Sequence, residues 1–84
     1  MYIHLGKNTV VKDRDVIGIF DLETSTVMKN TRDYLANAEK SGKVVNVSYE
    51  LPKSFAVCSD KKDSVKVYIS PISTATLKGR AKNN

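Results

Sequence analysis

The residues that could take part in chemistry are one histidine, one cysteine and several carboxylates in this chain of 84 residues. His4 and Cys58 are the only residues of their types. A metal site or a Cys–His pair would need further ligands or a local signature, and the sequence has neither. We therefore expect His4 to face solvent or to be satisfied structurally, and Cys58 to be a small buried side chain.

The carboxylates lie around predicted turns, where aspartate commonly bonds to the backbone. They are Asp13, Asp15, Asp21 and Glu23. The glycines do not form a phosphate-binding loop. The sequence therefore predicts that the protein is not an enzyme and has no metal, cofactor or small-molecule substrate.

The net charge of +5 is distributed unevenly. Residues 1–52 carry equal numbers of basic and acidic side chains, so the whole excess lies in residues 53–84. A basic surface favours a polyanionic partner such as DNA, although ordinary solubilising lysines would explain the charge equally well.

Five cations in predicted turns and loops are candidate phosphate contacts: Lys12, Arg14, Lys53, Lys61 and Lys62. Loops on a rigid sheet are natural positions for such contacts. The sequence contains neither a helix-turn-helix pattern nor a pair of strand aromatics for base stacking.

The element that must position these cations is a hairpin made by two apolar runs, Phe55–Cys58 and Val65–Ile69, around a polar tip. In the second run Val65, Val67 and Ile69 share one face, as expected of a strand. Because two strands alone are marginally stable in water, the rest of the chain must cover this hairpin.

Further strands are predicted on both sides of one main helix. Residues 1–12 form a first short hairpin, and the unbroken apolar run Val16–Phe20 indicates a strand covered on both faces. Gly18 within that run indicates a bulge or a close backbone approach. A later strand is predicted over Val44–Tyr49.

The main helix is predicted near Val27–Lys40. Its N-cap is Ser25, or alternatively Asn30 or Thr31, and Gly42 ends it. A short second helix over Thr74–Leu77 is predicted to be capped by Ser73, and a mobile basic tail follows.

These elements predict a small α+β domain with antiparallel sheets in the order βββ-α-βββ-α and one main helix covering the sheet. The predicted domain is residues 1–77 and the tail is residues 78–84. No apolar run reaches signal-peptide or membrane-spanning length, and a single unpaired cysteine suits a reducing compartment, so we expect a cytoplasmic protein.

Three segments of the sequence resemble a known family of small bacterial regulators. The segments are MYIHLGKNTVV, VIGIFDLETSTVMKNTRDYL and VYISPISTATLKGR. They are similar to the RemA and RemB extracellular matrix regulators, especially RemB. The resemblance implies a cytoplasmic DNA-binding regulator of biofilm-matrix genes that assembles into a ring-shaped homo-oligomer.

The resemblance also implies which residues contact DNA. In RemA, DNA contact is attributed to an arginine after the second strand and to a pair of arginines in the loop preceding the central hairpin. Arg14 matches the first position. Lys53 alone stands near the second, with Glu50 close by, so the arginine pair is absent.

Two functions therefore remain open. One is a DNA-binding regulator whose contacts, Lys12, Arg14 and Lys53, are repeated around a ring. The other is a scaffold subunit of similar assembly that binds proteins and makes no direct DNA contact.

Overall fold

The computed structural model describes residues 2–22, 29–59 and 64–82. Of these, residues 81 and 82 are described by backbone alone. The strands are β1 Tyr2–Gly6, β2 Thr9–Lys12, β3 Val16–Asp21, β4 Val44–Asn46, β5 Ser54–Ser59 and β6 Val65–Ser70. The helices are α1 Lys29–Lys40 and α2 Thr74–Lys82, and a 3-10 turn covers Asp13–Asp15. This order confirms the predicted α+β arrangement of three strands, a helix, three strands and a helix.

The predicted central hairpin forms the middle of a four-stranded sheet with the order β3-β5-β6-β4. β5 and β6 pair antiparallel from Ser54↔Ser70 to Ser59↔Val65. β1 and β2 form a separate antiparallel pair, as predicted for residues 1–12. The turn between them uses positive φ angles at Gly6 and Lys7.

One strand pairing differs from the expected antiparallel pattern. β4 pairs parallel with β6, so the larger sheet is mixed. α1 connects β3 to β4, and a helical crossover leaves the two strands that it joins parallel. β3 and β6 both run antiparallel to β5, so β4 also runs parallel to β6. β4 is also shorter than the predicted Val44–Tyr49, because pairing ends at Asn46 and Tyr49 lies in the following loop.

The C-terminal end of α1 agrees with the prediction. Gly42 has φ 70°, its N–H bonds the carbonyl of Glu39, and the N–H of Lys43 bonds the carbonyl of Ala38. This pair of bonds is the Schellman motif, which satisfies carbonyls that the helix end leaves open.

The start of α1 differs from one alternative prediction. Asn30 and Thr31 lie inside the helix rather than at its cap. The other candidate cap, Ser25, lies outside the described residues, as do Val27 and Met28.

Each face of the larger sheet packs against its own apolar cluster. One face, which we call the hairpin side, is covered by the β1–β2 hairpin and by α2. The cluster of buried side chains on this face is Ile3, Leu5, Val11, Val47, Ala56, Cys58 and Leu77. On the helix side, Ala38 of α1 packs with Phe55, Val57 and Val67. The two clusters follow from the period of two along β5 and β6, which sends alternate residues to opposite faces.

The expectation that Val16–Phe20 is covered on both faces is wrong. Ile17 and Phe20 are exposed on the helix side, because β3 is an edge strand and α1 packs on β4 and β6. The predicted irregularity at Gly18 is confirmed, since the register of β3 shifts between Val16 and Gly18.

The second helix begins as predicted and continues further. Ser73 accepts a hydrogen bond from the N–H of Thr76 at 3.3 Å, which is the geometry of an N-cap. The helix then runs past Leu77 to Lys82, over the first part of the segment predicted as a tail. Neither described helix is long and apolar enough to cross a membrane.

Candidate nucleic-acid interface

Arg14 lies on an exposed 3-10 turn that joins β2 to β3. Its backbone N–H donates to Oδ1 of Asp13 at 2.8 Å, so the aspartate fixes the turn that presents the guanidinium. Asp13 and Asp15 also place two carboxylates beside this cation in the chain. Lys12, Asp13, Arg14 and Asp15 therefore sum to zero formal charge.

Strand pairing brings a further cation to the same place. Val16 pairs with Cys58, and Cys58 pairs with Lys66. Lys12 and Lys66 consequently line one cavity of about 250 Å³ between the two sheets, together with Asp15. Lys12 is half-buried there, whereas Lys66 is exposed.

We call Lys12, Arg14 and Lys66 the Arg14 cluster. Sequence reasoning did not select Lys66 as a site residue. The signal that could have found it is the register: Ser59, one residue beyond the first predicted run, pairs with Val65, and this places Lys66 opposite Cys58.

Lys53 lies at the opposite end of the same sheet. It precedes Ser54, which pairs with Asp21 at the far end of β3 and with Ser70 at the far end of β6. Its backbone is held by two hydrogen bonds, to Ser70 O at 2.9 Å and from Leu22 N at 3.1 Å. Its side chain is exposed.

The structure thus separates the candidate contacts into two groups. The strand between them, Val16–Asp21, advances roughly 16 Å at about 3.3 Å per residue. Lys12 and Lys66 line one cavity, and Arg14 follows Lys12 by two residues in the chain, whereas Lys53 lies at the other end of β3. Lys61 and Lys62, the other candidates, lie outside the described residues.

The basic residues of the C-terminal helix lie elsewhere. Lys78 and Arg80 are exposed on α2. Arg80 Nη1 donates to the carbonyl of His4 at 2.6 Å, which ties the helix to β1. The charge excess of residues 53–84 is therefore spread over both ends of the sheet and over α2.

The single histidine and the single cysteine differ in their exposure. His4 is exposed, and its Nε2 lies 2.5 Å from the carbonyl oxygen of Lys7. Cys58 is buried, and burial together with the charge of Asp15 raises the pKa of its thiol to about 11. Among the described residues no group of three or more His, Cys, Asp or Glu could hold a metal ion.

The two groups of candidate cations can contact phosphates, but they carry little information about base sequence. Exposed lysines are point charges that bind a phosphate without a fixed geometry, and Arg14 alone offers a planar fork of donors. Such contacts position a protein on the DNA backbone, whereas specificity comes from base edges or DNA shape.

Comparison with known proteins gives two matches over nearly the whole chain. A family model described as "RemA-like: Extracellular matrix regulatory protein A-like" matches residues 2–81. The chain is also 38% identical over 81 residues to "Extracellular matrix regulatory protein B" of Bacillus subtilis (strain 168). That alignment covers 96% of this chain and 90% of the relative.

Proposed function

Because this chain belongs to the RemA-like family of extracellular matrix regulatory proteins, we propose that it is a DNA-binding transcriptional regulator of biofilm-matrix genes. In this proposal it acts as a ring-shaped homo-oligomer in the cytoplasm, with double-stranded DNA and further copies of itself as partners. It has no enzymatic activity, no membrane partner and no small-molecule substrate.

The observation that carries the proposal is the Arg14 cluster. Arg14 is presented by a short turn between two strands that belong to different sheets, so its position depends on the rigid part of the fold. Lys12, two residues before Arg14 in the chain, lines one cavity together with Lys66. Three cations at one end of a sheet form a suitable contact for a DNA backbone.

One copy can make only a few phosphate contacts. The logarithm of the binding constant changes with the logarithm of salt concentration by about −0.9 per neutralised phosphate, so three contacts support weak binding with a shallow salt dependence. Repeating the cluster around a ring makes every contact after the first intramolecular. This raises its effective concentration and strengthens binding without any new residue.

A gel-shift titration with duplex DNA at two salt concentrations tests this function in the parent chain and in Arg14→Ala. We expect the variant to lose most of its DNA affinity and to show a flatter salt dependence. Its oligomer size and unfolding midpoint should match those of the parent, because Arg14 is exposed and belongs to no apolar cluster. Lys40→Ala, which removes an exposed cation from the last turn of α1, is the matched control and should bind as the parent does.

The second candidate function is the scaffold subunit without direct DNA contact. The observation in its favour is the acidic surroundings of Arg14, since Asp13 and Asp15 cancel the charge of Lys12 and Arg14. An oligomer that fails to shift DNA even at about 50 mM salt, where screening is weak, would establish this alternative over the first. Arg14→Ala protein that binds as well as the parent would instead move the contact to other cations, such as Lys61 and Lys62.

A further inference from the structure

The cavity of about 250 Å³ between the two sheets, which we call the β2 cavity, has a floor and a wall. Its floor is the hairpin side of the larger sheet, where Cys58 pairs with Lys66 and Tyr68 follows two residues later on the same face. Its wall is β2, which contributes the consecutive residues 10–12. Because a strand face would present alternate residues only, it is the edge of β2 that borders the cavity.

This wall and floor supply both polar and apolar contacts. β2 pairs with β1 and with no other described strand, so the N–H groups along its second edge have no strand partner and can donate to a ligand. The rings of Tyr2 and Tyr68 and the hydroxyls of Ser59 and Ser64 also line the cavity. A few directed polar groups beside aromatic surface are typical of a site for a small molecule.

The charged side chains enter the β2 cavity from different strands. Lys12 comes from β2 and Lys66 from β6, whereas Asp15 directly precedes β3. β5 lies between β3 and β6, so two strand spacings of about 4.8 Å separate the backbones on which Asp15 and Lys66 stand. Within residues 2–22, 29–59 and 64–80, neither ammonium forms an ion pair. Two uncompensated cations therefore share one cavity with a carboxylate at its β3 side.

Two ammonium groups match an anion that carries two charges. A phosphate monoester has close to two negative charges at pH 7 and three strong acceptor oxygens. A carboxylate carries one charge. A phosphodiester of DNA also carries one charge, and because its chain continues on both sides it crosses the mouth of a cavity rather than entering it. The pair of lysines therefore favours a phosphate monoester.

The remaining lining favours a sugar as the group attached to the phosphate. The carboxylate of Asp15 accepts hydrogen bonds, so it suits hydroxyl donors and repels a second anion. The rings of Tyr2 and Tyr68 offer apolar surface on which the C–H groups of a sugar can pack. A sugar combines these two properties in one small molecule.

We propose that the β2 cavity binds a phosphorylated sugar, either free or as part of a nucleoside monophosphate. The phosphate lies between Lys12 and Lys66, and hydroxyls of the sugar donate to Asp15. The ligand is an effector and is not converted, so the site adds no enzymatic activity.

Binding at this site would act on DNA binding, a consequence that rests on the proposed function. Lys12 and Lys66 are two of the three cations of the Arg14 cluster. A bound phosphate would neutralise both and place its own negative charge at the surface that DNA approaches. We therefore expect the ligand to weaken DNA binding.

Isothermal titration calorimetry on the full chain tests the site without DNA. The probes are ribose 5-phosphate, adenosine 5′-monophosphate and inorganic phosphate, with ribose as the uncharged control, at about 50 mM salt, where screening is weak. We expect ribose 5-phosphate to bind about tenfold more tightly than inorganic phosphate, because hydrogen bonds to a charged group add to the phosphate contacts. Ribose should not bind. Tighter binding of the nucleotide than of the sugar phosphate would identify a nucleotide as the source of the ligand, and the reverse order a free sugar phosphate.

Three variants locate the ligand. Lys12→Gln and Lys66→Gln should each weaken the binding of ribose 5-phosphate about tenfold, since each removes one charged contact. Asp15→Ala should reduce the preference for ribose 5-phosphate over inorganic phosphate, because it removes the acceptor for the hydroxyls and a charge that repels phosphate. Lys40→Gln is the matched control, since Lys40 ends α1 on the other side of the sheet, and it should bind as the parent does. Lys66 is exposed, so Lys66→Gln should fold and keeps the test decisive if the half-buried Lys12 position does not tolerate glutamine.

Two results would overturn the site. One is no measurable binding of any phosphate probe. The other is equal and weak binding of ribose 5-phosphate and inorganic phosphate that Lys66→Gln does not change, which would show an adventitious ion only. A gel shift with added ribose 5-phosphate tests the effect on DNA, and a shift that the ligand leaves unchanged would overturn that effect. A protein that binds the probes as described but binds no DNA would refute the proposed regulator and leave the site standing.

Discussion

The two faces of the larger sheet differ in how completely they are covered. On the hairpin side, Ile3, Leu5 and Leu77 are at most 1% exposed. On the helix side, Val67 is fully buried under α1, but Ile17 and Phe20 at the β3 margin are exposed. The same sheet therefore has one closed face and one face that is closed over only part of its width.

The difference follows from what lies on each face. The hairpin side is covered by β1, β2 and α2, and side-chain hydrogen bonds fasten these elements to the sheet. Oγ of Ser70 donates to Leu5 O, and Oγ of Ser54 donates to Ile72 O, each at 2.6 Å. On the helix side α1 packs on β4 and β6, which leaves β3 at its edge.

The closed face therefore holds the fold, while the open face is available for contacts. A mutation on the closed face should therefore cost the most stability. A mutation at the open margin should leave the fold intact.

The largest effect is expected for Leu77→Ala on the closed face. Leu77 is 0% exposed and is the only large apolar side chain that α2 contributes to the buried cluster. Truncation should lower the free energy of unfolding by about 2–5 kcal/mol, through lost burial and a cavity. Urea denaturation measures this loss. Lys78→Ala, at the next and exposed position, should change the value by less than about 0.5 kcal/mol.

A smaller effect is expected for Val67→Ala beneath α1. Val67 is 0% exposed, but its side chain is smaller, and neighbours in the thinner helix-side cluster can relax toward the space. The free energy of unfolding should fall by about 1–3 kcal/mol, measured in the same urea titration. A change within about 0.5 kcal/mol would contradict the assignment of Val67 to the core.

Ser70→Ala tests the fastening of the closed face. Oγ of Ser70 donates to the carbonyl of Leu5 and accepts from the N–H of Ile72 at 3.1 Å, so its loss leaves two backbone groups without this partner. The expected cost is about 1–3 kcal/mol in the free energy of unfolding, since unsatisfied buried groups keep their desolvation penalty. Ser41→Ala, at an exposed position after α1, is the control and should be close to neutral. Equal denaturation midpoints for Ser70→Ala and the parent would show that this hydrogen bond does not stabilise the face.

The sequence predicted most strands because their local patterns were strong. The period of two in Val65–Ile69 and the polar tip before it located the central hairpin, and Gly42 located the end of α1. These signals act over a few residues, where propensity and capping decide the structure.

The sequence did not predict features that depend on elements far apart in the chain. The parallel pairing of β4 with β6 depends on where α1 returns the chain. The exposure of Ile17 and Phe20 depends on which strands α1 covers. An apolar run has the same sequence pattern whether or not another element of the chain packs on it.

The candidate site shows the same limit. Arg14 and Lys53 were selected individually from their turns, and the sequence did not indicate that the length of β3 separates them. Lys66 lies within a predicted strand rather than in a turn, yet pairing with Cys58 brings it to the cavity beside Lys12. Proximity between strands depends on register, which a single pattern does not determine.

The smallest expected effect is a pH dependence that arises at Cys58 on the closed face. Burial, with a contribution from Asp15, raises the pKa of the thiol from 9.0 to about 11. Well below pH 9.0 the thiol is protonated in folded and unfolded chains alike, so it adds no pH dependence there. Between 9.0 and about 11 the unfolded chain releases its proton first, so the free energy of unfolding should fall as pH rises.

The measurement is the difference between the parent and Cys58→Ala, which cancels the contribution of the other ionisable groups. Urea titrations at pH 8, about 10 and about 11 should give a flatter decline in the variant, because it lacks the group whose proton release favours unfolding. The absolute stability of the variant is not the readout, since alanine also leaves a small cavity. Parallel declines in the two proteins would mean that the thiol is hydrated in the folded chain. In that case the closed face would admit water at Cys58, beside the cavity lined by Lys12 and Lys66.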